Sequence, residues 1–259
     1  MPSIPAIGNP IPVYIVYPAL RAIDTESRGG YNDEKTQRRE SMIQYILFDF
    51  DGTLYDTVEG IEKSAQYALA KLGVSAELEE LRCFAGPPLV DKFMEMYGFS
   101  HEKAWEARGL FQERYIPVGV YESRPFPCMK EFLAALKQSG LTLAVATSKP
   151  LDLAEHLLDR AGMRSFFSVV RGSTLDGNNN TKQEIVERVI ADLGAKKEDC
   201  VLVGDTKYDV AGAHAAGIAC IGVRYGYAAP GELESAGADA IAEDLDELEK
   251  MLTACELLV

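Results

Sequence analysis

No apolar run in the sequence approaches the roughly 18 residues that a membrane span requires. Basic residues are in short supply: 26 Lys and Arg stand against 40 Asp and Glu, a net charge of −14 over 259 residues. This balance disfavours a basic face that could hold a phosphate backbone or an anionic membrane surface, which argues against nucleic acid and membrane as partners. The same acidity suits a small anionic substrate poorly, unless a bound cation reverses the field locally. Histidine is scarce: His101, His156 and His214 lie far apart and form no HxH or HExxH pattern, so a zinc site has no support. Cysteine is odd in number and widely spaced (Cys83, Cys128, Cys200, Cys220, Cys255), with no CxxC. Buried free thiols in a reducing, cytoplasmic compartment are expected.

What is present is ordinary globular material, 47% hydrophobic and 25% charged. At roughly 100–200 residues per domain, one large domain or one domain with an insert is expected. Residues 1–41 stand apart. They hold five of the twelve prolines and five charges of each sign, so the whole net charge belongs to residues 42–259. The apolar piece from Ile11 to Leu20 is flanked by prolines and has no basic residue before it, a poor match to a secretory signal. The segment reads as a poorly ordered extension, with Met42 opening the folded part.

From there the pattern alternates. Short apolar runs at 43–50, 141–146, 167–170, 201–203 and 220–223 read as buried parallel strands. Helical spacing at 57–72, 129–138, 151–161, 182–193 and 208–216 separates them, and 244–258 reads as an amphipathic helix. The predicted fold is therefore α/β, a Rossmann-like parallel sheet flanked by helices. About 90 residues separate the first two strands, far more than one crossover needs. That length predicts an inserted all-helical subdomain at 58–125, set into a core made of 42–57 and 126–259.

In parallel α/β sheets, ligands bind beyond the carboxyl ends of the strands. The first strand ends in Asp49-Phe50-Asp51-Gly52-Thr53, the second in Thr147-Ser148-Lys149, and the fourth in Gly204-Asp205, with Asp209 four residues on. Asp49 and Asp51 alternate on an extended strand end, so their side chains point the same way. With Asp205 and Asp209 they predict four carboxylates in one pocket. Such a density repels itself unless a cation sits within it. Hard oxygen donors select Mg²⁺, which also takes phosphate oxygens. The backbone N–H of Gly52 is a candidate phosphate donor. Thr181-x-x-Glu184 is a capping box, which puts Lys182 in the first turn of a helix whose N-terminus favours anions. Taken singly, each signal has a plainer reading: Asp51-Gly52 as a hairpin turn, Thr147-Ser148 as a strand end, Lys182 as a surface lysine, Gly204-Asp205 as a common turn.

Together and in this order, the segments DFDGTLYDT (49–57), LAVATSKP (143–150), Lys182 in NNNTKQEIV, and VLVGDTKYDV (201–210) resemble the four motifs of the haloacid dehalogenase superfamily, over about residues 42–250. Among its members the chain is most similar to phosphoglycolate-phosphatase-like hydrolases. The resemblance implies a Rossmann-like core with a helical cap after the first motif and a Mg²⁺-dependent phosphatase, monomeric or homodimeric, acting on a small phosphate ester. It implies Asp49 as nucleophile and Asp51 as general acid and base. It implies Thr147, Ser148 and Lys182 as phosphoryl contacts. Mg²⁺ would be held by Asp49, Asp205, Asp209 and the Asp51 carbonyl. Phosphoglycolate is the leading substrate, with a 5′-nucleotidase or a phosphomutase as alternatives. Asp51 argues against a dehalogenase, and the stretch from Gly86 to Lys92 lacks the arginine usual in sugar phosphomutases. Tyr55, Pro87, Pro88, Lys92 and Arg124 are candidates for substrate contact.

Overall fold

The structure, a computed structural model, describes residues 43–174 and 181–253. The expected extension at 1–41, Met42, Cys255 and the last part of the expected 244–258 helix lie outside the described residues. In chain order the strands are β1 (Tyr45–Phe48), β2 (Tyr55–Asp56), β3 (Arg124–Pro125), β4 (Thr142–Pro150), β5 (Phe167–Ser173), β6 (Cys200–Gly204), β7 (Ala219–Val223) and β8 (Ala240–Ala242). Between β2 and β3 lie helices α1 (Val58–Lys71), α2 (Leu78–Leu81), α3 (Leu89–Tyr97) and α4 (His101–Tyr115). The remaining helices are α5 (Met129–Gln138), α6 (Leu151–Arg160), α7 (Lys182–Leu193), α8 (Lys207–Ala216), α9 (Glu232–Ala236) and α10 (Leu245–Thr253).

Among the described residues, six strands form one sheet in the order β5-β4-β1-β6-β7-β8, and every pairing is parallel. The strands are apolar throughout because both faces are covered. Ile46 and Phe48 of β1 join Leu143, Val145, Val201 and Val203 on one face, under α5, α6 and α10. Leu47 points the other way, with Ala144, Ala146 and Leu202, and meets Ile185, Val186 and Val189 of α7 and Ala213 of α8. The capping box expected at Thr181 is formed: Thr181 Oγ1 accepts from the Glu184 amide and Glu184 Oε2 from the Thr181 amide.

The strand order puts β1 between β4 and β6. The order in which strands are added reverses there, so the connections on the two sides diverge and leave a crevice at the carboxyl ends. Two features depart from the sequence expectation. β8 adds an edge strand that three small or apolar residues are too short to announce. The residues that enter and leave the helical stretch pair as β2 and β3, antiparallel, so the stretch at 58–125 is not helical to its end. The thiols also divide: Cys200 and Cys220 are buried, whereas Cys83 and Cys128 are exposed.

Candidate active site

Asp49 follows β1 directly, Asp205 follows β6, Lys182 opens α7 and Asp209 sits in the first turn of α8. β1 and β6 are in register, Phe48 against Val203, so the two aspartates leave the sheet side by side. α7 and α8 pack on the same face and bring their first turns to that point. The carboxylates of Asp49, Asp205 and Asp209 lie within 4.8 Å of one another, and all three residues are buried.

Lys182 Nζ bridges two of them, donating to Asp49 Oδ1 at 2.6 Å and lying 2.7 Å from Asp209 Oδ1. Asp209 and Asp205 are further fixed by amides and hydroxyls around them. Asp209 Oδ2 accepts from the amide and hydroxyl of Thr206. Asp205 accepts from the Tyr227 amide at 2.8 Å and from Thr53 Oγ1 at 3.3 Å. The cluster has three carboxylates and one ammonium in a buried place. Burial, opposed by Lys182 and assisted by Asp209, pushes the Asp49 carboxyl up to about 6. Burial and the charges of Asp209 and Asp49 push Asp205 well above the carboxylate range. Burial works against a charged Lys182, but Asp209 and Asp49 outweigh it and keep it protonated. Three carboxylates against one ammonium in a buried place are a donor set that suits a divalent cation, which would favour their ionised forms.

Asp51 lies outside that 4.8 Å group. Of the four carboxylates expected in one pocket, three lie within 4.8 Å of one another; the fourth, Asp51, still acts on Asp49 through its charge and pairs with a second buried lysine. Lys149 Nζ donates to Asp51 Oδ1 at 2.9 Å and to Tyr115 Oη at 2.6 Å. Burial disfavours its charge, but Asp51 and Tyr115 more than compensate. Two lysines thus sort the two aspartates of the first motif into separate environments.

Gly52 differs from its expected part. Its N–H donates to the Tyr55 carbonyl at 2.8 Å, which closes the turn after β1, so it is not directed at a phosphate. Its value is steric. The residue has φ of +82°, and a Cβ there would collide with the Asp205 carboxylate. Thr147 is buried in β4 and its hydroxyl accepts from the Lys149 amide, whereas Ser148 is exposed.

Among the other candidates, Tyr55 turns away: its ring stacks on Phe50 and its hydroxyl donates to the Leu157 carbonyl. Lys92 pairs with Glu95, and Arg124 with Asp56. The loop of Pro87 and Pro88 does approach the site, because a Cβ on Gly86 would lie 3.0 Å from Thr206 Cγ2.

Sequence reasoning placed Lys149 at the strand end without a role and missed Tyr115 and Tyr227. Lys149 had a signal, since alternation along a strand puts it on the same side as Thr147. Tyr115 and Tyr227 had none, because their partners are 34 and 22 or more residues away in the chain.

Comparison with known proteins agrees with this geometry. The chain is 41% identical to a 5′-nucleotidase of Pseudomonas aeruginosa, over 83% of this chain and 98% of that one. It is 34% identical to a phosphoglycolate phosphatase of Cupriavidus necator, over 82% of this chain and 94% of that one. The crystal structure of a protein described as a predicted phosphatase, from Clostridium acetobutylicum, superposes with a TM-score of 0.80 at 37% identity, covering 83% of this chain and all of that one. The profile of the haloacid dehalogenase-like hydrolases matches residues 46–223. With the acidic cluster at the switch point of the sheet and relatives of this kind along most of its length, the chain belongs to the haloacid dehalogenase-like hydrolase family.

Proposed function

We propose that the chain is a Mg²⁺-dependent phosphatase that hydrolyses a small phosphomonoester through an aspartyl-phosphate on Asp49. The observation that carries the reading is the buried Asp49–Lys182–Asp209 bridge with Asp205 beside it. Three hard oxygen donors with a surplus of negative charge fit Mg²⁺ and fit no soft metal. Asp49, Asp205 and Asp209 would hold it, with the Asp51 carbonyl as a further donor. Bound there, the ion would neutralise the carboxylates and the phosphoryl oxygens drawn to them.

Each residue then has a separable task. Lys182 orients Asp49 by a single short hydrogen bond, so that one carboxylate oxygen faces the phosphorus. Asp49 attacks phosphorus, and the bond to the leaving oxygen breaks. Asp51 gives the leaving alcohol its proton and then takes one from the water that attacks the aspartyl-phosphate. Lys149 holds Asp51 Oδ1, which assigns the proton to Oδ2. Thr147, in the second half of β4, contacts the phosphoryl group together with the exposed Ser148.

Residues 58–125 are assigned to a cap that closes the site, and 42–57 with 126–259 to the core. Two contacts support a cap: Tyr115 of α4 reaches Lys149, and Gly86 lies against Thr206. Phosphoglycolate is the substrate that the sequence motifs favour. The 41% identity to a 5′-nucleotidase favours a nucleoside monophosphate as the second reading. A mutase on the same site would need a sugar bisphosphate and would release no phosphate.

Phosphate release across a panel of metabolite phosphates, with Mg²⁺ and with EDTA, tests the proposal. Mg²⁺-dependent turnover of one small monoester, absent in Asp49→Asn, is expected. Turnover that survives EDTA, or that persists in Asp49→Asn, would contradict it.

A further inference from the structure

The chain passes from sheet to helical insert at 55–58 and returns at 124–126, and the loop after β7 touches both crossings. Tyr225 Oη donates to the Thr53 carbonyl at 3.0 Å, and its ring packs edge-on against Phe126. Tyr227 does more. Its phenol oxygen accepts from the amides of Thr57 at 2.6 Å and Val58 at 3.1 Å. These amides open α1, and Thr57, at the cap position, supplies no side-chain acceptor of its own. Opening N–H groups of a helix need an acceptor, which usually comes from the residue at the cap itself. Here it comes from a residue 170 positions away.

The same residue reaches the acidic cluster, since its amide donates to Asp205 Oδ2 at 2.8 Å. The layer between them has no slack. A Cβ on Gly226 would collide with Asp205 and lie 2.6 Å from the Gly52 carbonyl. A Cβ on Gly52 would lie 2.8 Å from Tyr227 Cδ2. Gly52, Asp205, Gly226 and Tyr227 are therefore stacked with no room for a methyl group, and a shift of the loop is a shift of Asp205.

We propose that Tyr227 is a positioning residue that fixes the start of α1, and with it the insert, relative to Asp205. Its side chain holds one end of the link and its backbone the other. The consequence for turnover rests on the phosphatase reading above; the tether itself does not.

Tyr227→Phe in the full chain separates the two ends, because it removes the phenol oxygen and leaves the amide on Asp205. Hydrogen exchange resolved to single amides is expected to speed up about tenfold or more at Thr57 and Val58, with β1 and β6 unchanged. The value of kcat/KM for the best monoester is expected to fall about tenfold, while the Mg²⁺ concentration for half-maximal rate stays within about twofold. Tyr225→Phe, which removes the neighbouring phenol, is expected to leave exchange at Thr57 and Val58 as in the wild type.

Unchanged exchange in Tyr227→Phe would overturn the proposal. So would faster exchange with wild-type kcat/KM, which makes the cap structural only. Equal acceleration in Tyr225→Phe would overturn it as a general loosening of the loop, and a parallel loss of Mg²⁺ response would overturn it as an effect on Asp205. A chain that hydrolyses no phosphomonoester sinks the phosphatase reading instead, and exchange at Thr57 and Val58 still decides the tether.

Discussion

Replacing Asp49 with asparagine removes one of three clustered carboxylates and keeps the shape of the side chain. In the metal-free protein the ionised Asp49 is unfavourable, because burial outweighs the nearby Lys182 and raises its carboxyl from 3.8 to about 6. The sign follows by linkage. A folded-state pKa above the unfolded value means that the folded protein holds the proton more tightly. The resulting stability is complete below about pH 3.8 and is lost as pH rises through about 6. A shift of this size corresponds to about 3 kcal/mol, and Asp49 keeps only 10% of its side chain exposed, so solvent screens little of it. For a chain of this size that is a difference of roughly 6–12 °C in Tm. Melting in EDTA should therefore show wild type and Asp49→Asn close together near pH 4, with Asp49→Asn the more stable by about that amount at pH 7.5. Adding Mg²⁺ at pH 7.5 should raise the wild type and close the gap, since a ligand bound to the folded state stabilises it. A gap independent of pH, or a wild type more stable than Asp49→Asn at pH 7.5 in EDTA, would refute the reasoning.

Other substitutions test other parts of the site. Asp209→Asn keeps the reach back to Thr206 but loses a charge from the cluster; weaker Mg²⁺ response, partly restored at high Mg²⁺, is expected in steady-state kinetics. Lys149→Met strands the Asp51 carboxylate beside Tyr115 and should cost up to about 3 kcal/mol in urea unfolding. A cost within about 0.5 kcal/mol would show that the pair contributes nothing. Gly52→Ala places a methyl group on the Asp205 carboxylate at a left-handed position, so Mg²⁺ binding by calorimetry and turnover should be lost together.

The sheet was legible because its residues are apolar on both faces and punctuated by polar strand ends. Ile46 and Phe48 face one set of helices and Leu47 the other, so all three fill a two-sided core, and an uninterrupted run of this kind reads directly as a buried parallel strand. The positions of Asp49, Asp205 and Lys182 followed from the rule that such strands deliver their ends to one edge. What could not be read was pairing at long range. Alternation along the strand put Asp51 with Asp49 and Lys149 with Thr147, but the pairing of Asp51 with Lys149 spans 98 positions and has no local pattern. Gly52 was legible as special and misassigned in its task. A glycine in a turn signals either an N–H presented to a ligand or the absence of a Cβ, and only the approach of Asp205 shows that the second applies. Tyr115 and Tyr227 look like core aromatics in sequence, and their hydroxyls acquire partners only once the fold brings α4 and the β7 loop to the site.

The most direct test is to quench the turning-over protein with borohydride and sequence its peptides by mass spectrometry. Borohydride reduces an acyl phosphate to the alcohol, so homoserine should be found at position 49, and only when both Mg²⁺ and a monoester substrate are present. Rapid phosphate release with Asp49 unmodified, or homoserine at Asp51, Asp205 or Asp209 instead, would contradict a phosphoryl group carried on Asp49.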